Sequence, residues 1–403
     1  MKTIIDPVFG FIKVPDGLLL DIVKHPAFYR LSRIRQLGGA NFVFPGANHT
    51  RFQHSLGAFH LMNMAILKLQ MKGNFIFDSE AEAVQAAILL HDVGHGPFSH
   101  VLEHTLMSGV DHEEISLMIM EMLNEEMRGQ LTLAIKIFKD EYPKHFLHQL
   151  ISSQLDMDRL DYLRRDSFFT GVTEGNIGSA RIIDMLNVCD DRLVVEKKGI
   201  YSIENYLMSR RLMYWQVYLH KTGVSAEHVL INALTRAKDL ARDGKELWCS
   251  PALHFFLYQE VDRDMFMGNP ECLKNYLALD DNDIMSAMKV WQESDDRILS
   301  MLAHDFIGRN IFRVEVSDEP FSELYINDKV KELSTRCKVS EDEARRYFTS
   351  SLTVGKDMYS IDEDHIDMLR NDGTTCDVSE LSDMLNISTL SKKIRKYYFC
   401  YQR

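Results

Sequence analysis

Cysteine is sparse and unpatterned in this chain. Its six cysteines, Cys189, Cys249, Cys272, Cys337, Cys376 and Cys400, are spread over 403 residues with no CxxC pair. That excludes a disulfide framework and matches the usage of reduced, intracellular thiols. Long apolar runs are also missing. No stretch approaches the roughly 18 residues of a spanning helix, so no membrane association is expected. The opening MKTIIDPVFGFIKVPDG reaches Asp6, Pro7 and Gly10 before any continuous apolar region develops. It does not read as a signal peptide, and the expected compartment is the cytoplasm. Basic charge is in the minority, 46 Lys and Arg against 59 Asp and Glu, a net charge of −13. A nucleic-acid partner, which would ask for a basic footprint, is therefore not expected. A local cationic pocket remains compatible with an acidic chain. Internal repeats and low-complexity segments are absent. The length suits one large domain plus a smaller one.

The pattern of the rest is mainly helical. TIID and FIKV around Pro7 and Gly10 read as a short two-stranded entry. Helices are expected over 18–25, over 28–37 and from Arg51 to about Gln70. The next helix is expected from Ser79, with Ser79 and Glu82 as a capping box, through AVQAAILLHDVG. Further helices are expected over 112–127, 130–140, 143–151 with Pro143 in the first turn, 155–169 and 176–187. Residues 192–203 read as a hairpin turning at Gly199. Long helices fill 204–242 and much of 251–307. From Gly308 the character changes. IFRVEV and YFTSSLTV are strand-like, ELYINDKVKELST is helical, and a basic helix precedes an aromatic strand-like end. The expected division is a helical body over 1–308 and a small α+β unit over 309–403.

Chemistry concentrates in HDVGHGPFSH, where His91, Asp92, His95 and His100 fall within ten residues behind the apolar run AAILL. Imidazole beside carboxylate is a natural donor set for a divalent metal. Adjacent helical residues diverge by about 100°, so both reach one ion only where a helix ends, and Gly94 and Gly96 permit that ending. Two more polar clusters, NHTRFQHSLG at 48–57 and LDMDRLDYLRRD at 155–166, are separated by amphipathic helix. One site assembled from distant segments is the expectation. Each histidine alone is equally a hydrogen-bonded side chain bracing the fold, and Asp158 alone is equally a solvated helix charge.

These stretches resemble the HD-domain phosphohydrolases, specifically the deoxynucleoside-triphosphate triphosphohydrolase branch. The resemblance runs through DPVFG at 6–10, RLSRIRQLGGANFVFPGANHTRFQHSLG at 30–57, HDVGHGPFSHVLE at 91–103, DHEE at 111–114, LDMDRLDYLRRD at 155–166 and YWQVYLHK at 214–221. It implies an HD-domain helical core, mainly α, followed by the small α+β domain. It implies His54, His91, Asp92 and Asp158 as metal ligands. Two imidazoles and two carboxylates suit Fe, Mn, Zn or Ni better than Ca, with Mg accompanying the substrate phosphates. It implies acid–base or phosphate-side roles for His95, His100, Glu103 and His112, triphosphate contacts from Arg51, Arg159, Arg210 and Lys221, and sugar contacts from Gln36, Leu37, Tyr162, Asp166 and Tyr218. A homodimer or homotetramer is implied as well.

The chain also departs from the vertebrate members. Leu219 replaces a glutamine near the nucleotide. Ile5, Lys24, Tyr29 and Ser32 replace the guanine-reading residues of the activator pocket, whereas Lys2 matches a lysine there. Two rival readings stand beside the leading one. One is an HD phosphohydrolase acting on another nucleotide or a phosphomonoester. The other is a non-catalytic nucleic-acid-binding or regulatory protein with a structural metal. The phosphate arginines and the acidic net charge weigh against the second.

Overall fold

The computed structural model describes residues 1–98, 101–356, 365–383 and 394–403, with the backbone alone at 103, 104, 356 and 394. It is mainly helical, with small sheets at its margins. The chain opens with the expected hairpin, Lys2–Asp6 against Gly10–Val14, in register Ile4↔Ile12. One Asp6 oxygen accepts from the backbone N–H groups of Val8 and Phe9 and shapes the turn. At the centre lies the helix Arg51–Met71, whose Leu56, Phe59, Met62, Ala65, Ile66 and Leu69 are buried. It packs against the helices Asp78–Leu90 and Met157–Thr170. Three motif-bearing segments are thus brought side by side. Among the described residues no helix is long and apolar enough to cross a membrane.

Several boundaries differ from expectation. The segment after Pro26 does not continue as α-helix to residue 37; it tightens to a 3₁₀ turn over Arg30–Arg33. The helix expected over 143–151 starts only at His145. Lys144 is drawn away instead, bonding the Phe75 carbonyl and Glu80. The capping box at Ser79 and Glu82 does not form. The helix starts at Asp78, and Glu80 reaches back to the Phe77 N–H. The hairpin expected over 192–203 is shifted. Leu186–Cys189 pairs with Arg192–Glu196 around Asp190 and Asp191, both left-handed at φ 48° and 62°. Short polar side chains tolerate that conformation. Gly199 serves close packing rather than a turn: a Cβ there would meet Met185 and Val195 side chains at 2.9 Å. The long helical stretch from 204 is also broken. Ile200–Met213 passes through a π-turn at Tyr214–Tyr218 before Lys221–Arg242 begins.

Beyond Gly308, Arg313–Ser317 and Thr349–Lys356 flank the central strand Ile394–Tyr401, both antiparallel to it. The strands Asp367–Leu369 and Thr375–Asp377 extend the 186–196 hairpin into a mixed four-stranded sheet, with Asp367–Leu369 parallel to Arg192–Glu196. The basic helix expected within ISTLSKKIRK lies outside the described residues up to 393, and Ile394–Lys396 belong instead to the final strand, which pairs with Thr349–Lys356.

Glu80 ties the helix that carries His91 to the body. It accepts from Tyr142, Lys144 and the Phe77 N–H. Burial opposes ionisation, but these partners outweigh it and hold the carboxyl below its ordinary value. A depressed pKa stabilises the fold above the unfolded value, and the benefit fades as pH falls through the folded one. Glu80→Gln should therefore cost about 1–3 kcal/mol at pH 7. In denaturant titrations its deficit should shrink below about pH 4. A deficit independent of pH would assign the loss to packing.

Candidate metal centre and adjoining cavity

The metal-ligand expectation rests on where the helices end. The Asp78–Leu90 helix stops with His91 at its C-terminal cap. Gly94 follows, and a Cβ on it would strike the His112 carbonyl and the Ser116 backbone. His54 lies one turn inside Arg51–Met71, and Asp158 lies in the first turn of Met157–Thr170. His54 Nε2 is 3.2 Å from His91 Nε2 and 3.1 Å from Asp158 Oδ1. His91 Nε2 is 3.5 Å from that same oxygen. Donor atoms of His54, His91 and Asp158 all lie within 4.8 Å of one another. Asp92 stands beside this group. Its Oδ1 is 3.5 Å from His91 Nε2 and its Oδ2 is 3.7 Å from His54 Nε2, while Arg51 holds Oδ2 in an ion pair.

The donor set fits a metal. His91 Nδ1 donates to the Ile88 carbonyl at 2.7 Å and His54 Nδ1 to Asp161 at 2.7 Å. Both tautomers are thereby set with Nε2 facing the shared space. Burial opposes positive charge on His54, but hydrogen bonds to Asp158 and Asp161 outweigh it and lift the pKa to about 10, so a proton holds the Nε2 position that a metal would take. Burial likewise disfavours ionised Asp158, but His54 and His91 hold it well below the ordinary carboxylate range. A cation is what this carboxylate-rich space calls for.

Behind the donors stands a charged relay that the sequence reading missed. Asp161 is fully buried and takes Arg165 through both oxygens, at 2.9 and 3.0 Å. Arg165 extends to the second oxygen of Asp6 at 2.7 Å. A Cβ on Gly57 would collide with the Asp161–Arg165 pair, so glycine sets the closeness of the two helices. A second brace holds the 91–95 turn. Buried Arg30 donates to the carbonyls of Val93, His95 and Leu279, Tyr276 donates to the Gly94 carbonyl, and Ser116 joins the His91 carbonyl to the Gly94 N–H.

His95 lies 3.4 Å from Asp92 and stacks on His112, with ring centroids 3.9 Å apart. Burial, reinforced by Arg51, pushes its pKa down to about 3, so the imidazole is neutral. His100 lies outside the described residues. Glu103 belongs by its backbone to the helix Val101–Thr105.

A cavity of about 340 Å³ opens beside the Arg51–Asp92 pair. Gln36, Leu37, Arg51 and Tyr218 line it, with Leu219 and Phe306. Tyr218 donates to Asp166 at 2.8 Å, and its ring centre is 6.1 Å from that of Tyr162. Arg159 turns to Asp156 and the Ser153 carbonyl, and Arg210 donates to Gln154 at 2.6 Å. Lys221 lines a separate depression with Arg313, Lys329 and Arg336. The expected phosphate and sugar residues therefore divide between the cavity wall, its surroundings and that second hollow.

Two buried imidazoles and a half-buried carboxylate, with Arg51 linking Asp92 at their side to the cavity, make a donor set that suits metal-assisted hydrolysis. The HD domain matches residues 51–166 and the HD associated region matches 177–247. A phosphohydrolase of Bacteroides thetaiotaomicron VPI-5482, known by its crystal structure, is 64% identical over 100% of both chains, with a TM-score of 0.97. The uncharacterized Bacillus subtilis protein YwfO is 37% identical over 77% of this chain and 71% of its own length. The human deoxynucleoside triphosphate triphosphohydrolase SAMHD1 is 30% identical over 59% of this chain and 45% of its own. The chain belongs to the HD-domain phosphohydrolase family, and it is an enzyme.

Proposed function

We propose that this protein hydrolyses deoxynucleoside triphosphates to deoxynucleoside and inorganic triphosphate. The supporting observation is the adjacency of the cavity lined by Gln36, Leu37 and Tyr218 to the His54–His91–Asp158 group, with Arg51 belonging to the cavity and paired to Asp92. A metal held by His54, His91 and Asp158, with Asp92 at its edge, would polarise a phosphate oxygen and acidify water. Arg51 offers its guanidinium fork to the triphosphate, with Arg159 and Arg210 adding charge nearby. Neutral His95, stacked on His112, is placed to orient the water that attacks the α-phosphorus; the bond to the 5′ oxygen breaks as the water gives up its proton. That oxygen takes the proton. Leu37 and Tyr218 crowd the sugar where a 2′-hydroxyl would sit, and Tyr162 and Asp166 face the 3′ side. The reading assigns the chemistry to residues 1–308 and a bracing role to 309–403, whose Tyr398 donates to the Leu219 carbonyl at 3.2 Å. It takes the protein as a cytoplasmic homodimer or homotetramer.

An apolar wall discriminates against a hydroxyl by only about 10²-fold. Preference for dGTP over GTP should be of that order. Tyr218→Ala should erode it before turnover is lost. Comparing kcat/KM for four dNTPs, their ribonucleotide counterparts and phosphomonoesters tests the reading. Equal values for dGTP and GTP refute the sugar wall, and turnover of monoesters alone replaces the proposed substrate.

A further inference from the structure

His49 is fully buried yet does not line the cavity. It connects both sugar-facing walls. Its carbonyl accepts from the Gln36 N–H at 3.0 Å, fixing the segment that presents Gln36 and Leu37. Its Nε2 meets Asp166 Oδ1 at 2.7 Å, and the other oxygen of Asp166 takes the Tyr218 hydroxyl at 2.8 Å. The ring stacks on Phe169 at 4.5 Å, with planes 15° apart. Nδ1 is buried with no hydrogen-bond partner among the described residues. A carboxylate only accepts, so Nε2 carries the proton and the bond to Asp166 is the one polar task of the ring.

We propose that His49 is the positioning residue of the sugar pocket. Acting through Asp166, it fixes the carboxylate plane and with it the Tyr218 wall, while its own backbone fixes the opposite wall. A carboxylate bonded from behind at one oxygen and from Tyr218 at the other cannot rotate, and each oxygen keeps a lone pair for a sugar hydroxyl. The inference rests on the dNTP reading for its substrate and on the geometry above for its mechanism.

Two substitutions separate the bond from the stack. His49→Phe keeps an aromatic ring against Phe169 and removes the N–H. His49→Gln removes the ring and keeps an amide donor near the Nε2 position. Both are compared with the unaltered protein by crystal structure, by metal content and by kcat/KM for dGTP and GTP. The expected result is normal metal content in both. In His49→Phe, Tyr218 should leave Asp166 and the dGTP preference should fall about tenfold, mostly through KM, as a misplaced wall would cause. His49→Gln should restore the contact and bring the preference back to within about threefold of the unaltered protein. An intact Asp166–Tyr218 contact and unchanged preference in His49→Phe would overturn the inference. So would a greater loss in His49→Gln than in His49→Phe, which would make the ring structural. If the unaltered protein turns over neither nucleotide, the dNTP reading fails, and the Asp166–Tyr218 distance in the variant crystals decides the positioning claim by itself.

Discussion

Asp158→Ala should abolish hydrolysis, by at least about 10³-fold in kcat, while the helical fold survives. Asp158 supplies the oxygen that both His54 Nε2 and His91 Nε2 approach, and its side chain is 27% exposed. Its loss therefore opens no apolar hole and removes the anionic member of the donor set. Loss of a metal's several-kcal/mol charge stabilisation corresponds to three or more powers of ten in rate. Metal analysis of the purified variant should show occupancy well below that of the unaltered protein, with circular dichroism unchanged. An active, metal-replete Asp158→Ala protein would show that the donors are elsewhere.

Asp161→Ala should be the most damaging substitution for stability. It leaves buried Arg165 with Asp6 as its remaining carboxylate and strips the acceptor from His54 Nδ1. Removing one partner of a buried pair costs up to about 3–5 kcal/mol, and Asp6 compensates Arg165 only in part. Losing the acceptor that orients a ligand imidazole lowers metal affinity by about 10–100-fold. Asp161→Asn keeps one acceptor oxygen and should fall between. Urea unfolding checks the first effect, and competition with a metal chelator checks the second. A loss below about 1 kcal/mol in Asp161→Ala would mean that water or Asp6 alone satisfies Arg165.

Among the candidate donors, His91 and Asp92 are marked by their spacing, and the resemblance settles their role more than the spacing does. His91 and Asp92 end an apolar run, and glycines follow. His54 and Asp158 were reached through resemblance of ordered motifs, and the structure brings both to within 3.5 Å of His91. The supporting layer was not legible. Asp161 and Arg165 are four apart on one helix, the spacing of a solvated ion pair, and only the close approach at Gly57 buries them. Asp6 reads as the end of the first strand, and nothing in the sequence shows that one oxygen shapes the turn while the other serves Arg165. His49 sat in an irregular stretch where no periodicity marks an inward face. Arg30, Ser116 and Tyr276 act through backbone groups, which leave no pattern in sequence. In the sequence Gly199 is the conspicuous turn signal of this hairpin, whereas the pair Asp190–Asp191 makes the turn.

Product analysis tests the central proposal most directly. Unaltered protein would be incubated with dGTP and a divalent transition metal, and its products separated by ion-exchange chromatography. The account predicts deoxyguanosine and inorganic triphosphate in equal amounts, with no accumulation of monophosphate or diphosphate. Deoxyguanosine monophosphate with pyrophosphate, or diphosphate with orthophosphate, would contradict it by placing the attack on another bond of the triphosphate chain.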